Sequence, residues 1–81
     1  MQISSNISAE IKQRLEAAIP GAQIEVLAGS AGHYEIYVIS TSFEGLSQLK
    51  QQQMIYAPIK DLMSGDDAPI HAIDRMDLRV S

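Results

Sequence analysis

The chain of 81 residues contains no cysteine, which excludes disulfides and any thiolate metal centre built from its own side chains. That lack fits a reducing compartment. No apolar run approaches the roughly 18 residues needed to span a bilayer, and the opening MQISSNISAEIKQ has neither the basic nor the apolar region of a secretory leader. The expected address is therefore cytoplasmic, with no membrane partner. Basic residues are scarce too: six against ten acidic ones give a formal charge of −4. Such a field repels nucleic-acid phosphates and anionic membranes, so a nucleic-acid role would need a local basic patch. What is present, 46% hydrophobic and 20% charged residues with three prolines, is a globular profile. The length suffices for a single domain over residues 1–81 with one modest core.

In SAEIKQRLEAAIPG, Ile11, Leu15 and Ile19 recur every four residues with Ala18 beside them, the stripe of an amphipathic helix. Ser8 is the expected N-cap, Glu10 suits the positive end of the dipole, and Pro20-Gly21 stops the helix. AQIEVLA alternates with Ile24, Val26 and Ala28 on one face, and HYEIYVIS with Tyr34, Ile36 and Val38 on one face and Tyr37 and Ile39 opposite. With GSAG, residues 29–32, between them, the two strands read as a β-hairpin.

Helical spacing returns in SFEGLSQLKQQQMIYAPIKDLM, with Leu46, Leu49, Ile55, Ile59 and Leu62 as apolar candidates. A short helical turn is expected near Phe43 to Gln48. A kink or break is expected at Pro58, which has no N–H for the carbonyl of Met54. After the turn SGDDAP, IHAIDRMDLRV reads as the last strand, with Ile70, Ala72, Met76, Leu78 and Val80 on one face and His71, Ile73, Arg75, Asp77 and Arg79 on the other. Asp74 is the exception to that alternation. The expected class is α+β in the order α-β-β-α-α-β, a three-stranded mixed sheet covered by helices, with a right-handed crossover into the last strand.

GSAG is literally G-x-x-G, a nucleic-acid backbone clamp when it joins two helices, but here it joins two strands and reads as a glycine turn. Lys50 and Gln51 to Gln53 read as a solvated helix face, and Asp66 and Asp67 as turn residues rather than paired catalytic carboxylates. No nucleophile, base and orienting group fall into a catalytic pattern, so the chain is not expected to be an enzyme. His33 and His71, its two histidines, are the remaining candidates for chemistry. A histidine at a strand end is most often a surface or hydrogen-bonded residue.

Taken in order, these motifs resemble the BolA family from about Glu10 to Ile73. GHYEIYVIS resembles the family's second strand with its leading histidine, and SFEGLSQLKQQQMIYAPI its F-x-G helix signature. The nearest subgroup is one with a lysine, glutamine, tyrosine and proline run, met here by Lys50, the glutamines after it, Tyr56 and Pro58. IHAI resembles the final-strand His-Ala motif. The resemblance implies a class II KH-like fold without the helical G-x-x-G loop, and a heterodimer with a monothiol glutaredoxin sharing a 2Fe-2S cluster. The partner side supplies a cysteine and the sulfur of a bound glutathione. This chain supplies the final-strand histidine, carried over to His71, and a second ligand near the hairpin loop. The loop position itself holds Ser30, which leaves His33 as the nearest donor. The family's Arg-His-Arg segment is replaced by Lys50, Gln51 and Gln52, and the chain stops just after the last strand, so surfaces resting on those parts are expected to differ.

The donor inventory agrees with that implication: two imidazoles and no thiolate cannot hold a 2Fe-2S cluster alone, and imidazoles on one iron raise its potential. The functional reading is a partner in iron-sulfur assembly, trafficking or iron sensing, with self-association left open. The alternative is a KH-like nucleic-acid-binding transcriptional or stress regulator, for which the charge predicts weak, nonspecific binding at most. A scaffold domain without a ligand is the third reading.

Overall fold

The computed structural model describes residues 7–81. Helix α1 runs Ile7–Ala18, strand β1 Gln23–Ala28, strand β2 His33–Ile39, helix α2 Gln48–Ile59 and strand β3 Ala72–Arg79. Short 3-10 turns at Thr41–Phe43 and Lys60–Met63 flank α2. The expected class and element order are found, with the second helix of the expected pair reduced to a 3-10 turn.

Helix α1 begins before Ser8, which lies in its first turn rather than at its cap; the cap falls outside the described residues. The reason is packing: Ile7 is four residues from Ile11 and joins Leu15 and Ile19 against the core, so the stripe extends one turn earlier than Ser8 suggested. Ser47 caps α2, its hydroxyl accepting from the Lys50 amide at 3.2 Å. Ile55 and Ile59 point into the core, while Leu49, expected there, is 63% exposed. Six residues before Ile55 lies about 120° round a helix from it, off the buried stripe. Four residues before Ile55 stands Gln51. Half-buried, it donates from Nε2 to the carbonyls of Leu46 at 3.1 Å and Phe43 at 3.4 Å. It is a structural residue holding the loop that enters α2, not part of a solvated face.

Pro58 is accommodated in the last turn of α2, and the break comes one residue later: Ile59 has φ −114° and ψ 8°, and a 3-10 turn follows. The break expected at Pro58 is present, displaced by one position. Arg14 spans the two helices there, donating to the Pro58 carbonyl at 3.3 Å and pairing with Asp61 and, on its own helix, with Glu10.

The sheet order is β1-β2-β3, antiparallel between β1 and β2 and parallel between β2 and β3. Both helices pack on the face that carries Tyr34, Ile36 and Val38, in one cluster with Ile11, Leu15, Ile19, Phe43, Ile55, Ile59 and Ile70. Removing each such side chain from water contributes about 1.5–3 kcal/mol. The hairpin faces are as the alternation predicts. Strand β3 is not, because its register against β2 shifts between Tyr34 and Glu35: Tyr34 stands beside Ile73, and Glu35 beside Arg75. Asp74 is the extra residue of a β-bulge. Ile73 therefore packs against the core with Met76 and Leu78, whereas Ala72 shares the outer face with His33, its partner across the ladder. The expected placement of Ile73 outside and Ala72 inside is reversed by that one residue.

Candidate functional site

His33 and His71 come together at one rim of the sheet, 38 residues apart in sequence. His33 opens β2, and His71 stands one residue ahead of β3. The parallel pairing of those strands brings their N-terminal ends side by side. Their ring centroids are 6.5 Å apart with the planes at 79°, an edge-on arrangement. His71 is exposed and His33 about one-third exposed, so both reach solvent from the same rim.

Two features hold the pair. The hairpin loop closes through Gly29 N–H to the His33 carbonyl and His33 N–H to the Ser30 carbonyl, both 2.9 Å. Its last residue, Gly32, has φ +79° and accepts on its carbonyl from the amides of His71 at 2.8 Å and Ala72 at 3.1 Å. A Cβ on Gly32 would stand 2.7 Å from His71 Cγ and 2.8 Å from Nδ1. The imidazole therefore lies directly on the glycine backbone, a close approach only glycine permits. Ser30, the loop position expected to offer a second ligand, is exposed, and its carbonyl accepts from the His33 amide.

The second feature is Asp74. Its Oδ1 lies 3.0 Å from His33 Nδ1. Facing an ionised carboxylate, Nδ1 is the donor, which leaves Nε2 of neutral His33 with a free lone pair. A carboxylate fixing the tautomer of an imidazole is the usual support of a metal-ligating histidine. Sequence reasoning named both histidines but missed Asp74 and Gly32. The signals were there: Asp74 broke the alternation of β3, and Gly32 directly preceded His33.

No group of three or more His, Cys, Asp or Glu side chains among the described residues is arranged to hold a metal ion. The rim offers two imidazole donors, with the Asp74 carboxylate engaged by His33. Away from the rim, Arg14 holds the Asp61 carboxyl below the usual range, Arg79 does the same for Asp77, and a hydrogen bond to Glu35 at 2.6 Å raises the Tyr37 phenol. Asp66 and Asp67 are exposed turn residues, as expected.

The comparisons with known proteins agree with this architecture. The family described as BolA-like protein matches residues 5–76, and the chain belongs to that family. BolA-like protein 1 of Pongo abelii is 32% identical over 76 residues, covering 83% of this chain and 53% of that protein. The acid stress protein IbaG of Escherichia coli (strain K12) is 30% identical over 64 residues, covering 79% of this chain and 73% of that protein. The chain thus spans about half the length of the BolA-like protein 1 relative. Among solved structures, BolA1 from Arabidopsis thaliana superposes with a TM-score of 0.76 at 16% identity, covering 94% of this chain and 93% of that one. No helix among the described residues is long and apolar enough to cross a membrane.

Proposed function

We propose that this chain is a non-enzymatic, cytoplasmic partner of a monothiol glutaredoxin, with which it shares a 2Fe-2S cluster in iron-sulfur assembly, trafficking or iron sensing. The observation that carries the reading is the meeting of His33 and His71 at one rim, 6.5 Å apart, in a chain without a thiol. The donor set fits the group: two imidazoles make half of a cluster's four ligands, and a cysteine and a glutathione sulfur on the partner side would complete it. His71 and His33 would be the ligands from this chain, with Asp74 fixing the His33 ring orientation and the tautomer that turns Nε2 outward. Imidazole ligation would set the bound cluster at a higher potential than all-thiolate ligation does.

The nucleic-acid alternative finds less support. Of the six basic residues, Arg14 and Arg79 are in ion pairs. Lys12 lies on α1 and Arg75 on the outer sheet face, and Lys50 and Lys60 are about 15 Å apart along a helical rise. They do not form the continuous basic stripe that phosphate binding requires.

The test is reconstitution of the chain and a monothiol glutaredoxin with iron, sulfide and glutathione, followed by absorption and circular dichroism. A spectrum distinct from that of the glutaredoxin alone, altered or lost in His71→Ala while the variant keeps its fold, is expected. An identical spectrum with and without this chain would refute the proposal.

A further inference from the structure

Strand β3 has β2 on one side and no strand of the described chain on the other. The Arg79 carbonyl accepts from Ser40, which follows β2, at 2.9 Å. By the alternation of a ladder, Arg75, Asp77 and Arg79 direct their backbone groups toward β2, and Met76, Leu78 and Val80 direct theirs out of the open edge. The side chains alternate as well. Arg75, Asp77 and Arg79 lie on the outer face, while Met76 and Leu78 lie on the helix-covered face, where with Gln48, Gln51 and Gln52 of α2 they line a shallow groove. Val80 continues that apolar row and is 47% exposed. An open edge with an uncovered apolar row is a template for another strand.

We propose that the strand that occupies it is β3 of a second copy of this chain, paired antiparallel about a two-fold axis at Leu78. Charge complementarity selects the occupant, and together with the bulge at Asp74 it selects the register. Centred on Asp77, the pairing sets Asp77 against itself and Arg75 against Arg79, like charges throughout. Centred on Met76, it also matches Asp77 with the partner's Arg75, but it sets the bulged Asp74 opposite Leu78 and Ala72 opposite Val80, across the irregular start of the strand. Centred on Leu78, it sets Asp77 opposite the partner's Arg79 and Arg79 opposite the partner's Asp77, so the Asp77–Arg79 pair within each strand joins its copy in one network of alternating charge. Met76 and Val80 then face each other twice, and Leu78 meets its own copy.

In that register Met76, Leu78 and Val80 make the backbone bonds. Asp77 and Arg79 fall at the non-bonded positions, where opposed Cα atoms are about 4.5 Å apart and side chains approach most closely. The result is a six-stranded sheet with a self-complementary interface, the commonest form of homodimer. The other edge offers no such match, since Glu25 is the single charged residue of β1. The interface lies at the opposite end of β3 from His71, so both copies keep their histidines free.

Sedimentation velocity and native mass spectrometry of the full chain over a concentration series test this. The expected result is concentration-dependent conversion of the 8.9 kDa chain to twice that mass. Val80→Pro removes an N–H from the open edge and none from the β2 ladder, and is expected to abolish the dimer with an unchanged far-ultraviolet circular dichroism spectrum. Asp77→Arg or Arg79→Asp alone should weaken the dimer by about tenfold or more, and the two together should restore it. A single 8.9 kDa species at every concentration up to about 1 mM, where specific association ceases to be meaningful, would overturn the proposal. So would a dimer indifferent to Val80→Pro and to both charge reversals. A strand from an unrelated protein at this edge would leave the isolated chain monomeric, and that outcome counts against it.

Discussion

The ring of His71 rests on the backbone of Gly32, so closely that a single added methyl group would stand 2.7 Å from its Cγ. The loop glycine and the exposed imidazole are one structural unit: the glycine is left-handed, accepts the amide on which His71 is hung, and forms the floor under its ring.

Gly32→Ala is therefore expected to act twice. The left-handed backbone costs a non-glycine residue about 1–3 kcal/mol, and the methyl group displaces the His71 ring. Urea denaturation should show the first effect. The second should appear as a moved His71 ring resonance by nuclear magnetic resonance and a weakened shared-cluster spectrum. Gly21→Ala, also at positive φ but with nothing within 4 Å, should show the first effect alone.

Asp74→Ala should leave the fold intact, because the residue is exposed and outside the regular ladder. It removes the acceptor that fixes the His33 tautomer. If His33 is a ligand, metal affinity at the rim should fall about 10–100-fold, the usual effect of losing a ligand's hydrogen-bonding support. Equal affinity in the wild type and the variant, measured with a divalent metal by calorimetry, would remove His33 from the ligand set.

Much of this was legible in the sequence, and the parts that were not share a cause. The hairpin could be read because alternation runs unbroken through Ile24 to Ala28 and Tyr34 to Val38, with glycines between. The two histidines could be named, although their proximity depends on the parallel pairing of β2 with β3, a long-range contact that no local pattern encodes. Strict alternation puts Ile73 on the wrong face because it counts residues, and a bulge adds one without changing the residue types around it. Leu49 and Gln51 exchanged their expected roles for a similar reason. The helix takes its phase from the Ser47 cap and the buried Ile55 and Ile59, not from the leucines near its start.

Gln51→Ala should destabilise the domain by about 1 kcal/mol, since the carbonyls of Phe43 and Leu46 lose their shared donor. Gln52→Ala, exposed one position further on, should change the urea midpoint little. Equal midpoints for the two variants would count against a structural role for Gln51.

The helix-bridging pair gives a pH dependence. Arg14 holds Asp61 below its ordinary pKa in the folded chain, so the pair stabilises the fold above the unfolded carboxylate pKa of about 3.9. That contribution is lost as pH falls through the depressed folded value. The stability difference between wild type and Asp61→Asn should thus be constant from pH 7 to about 5 and shrink below pH 4. A difference that grows on acidification would contradict the ion pair.

The bulge in β3 also says which residue the fold can do without. Deleting codon 74 would join Ile73 directly to Arg75, and the ladder against β2 would run from Ala72 to Arg79 without interruption, every side chain keeping the face it already has. The strand is thus one residue longer than its own architecture requires. That surplus residue is the one whose carboxylate reaches His33, so the shortest chain able to build this sheet is one that has lost the tether at its rim.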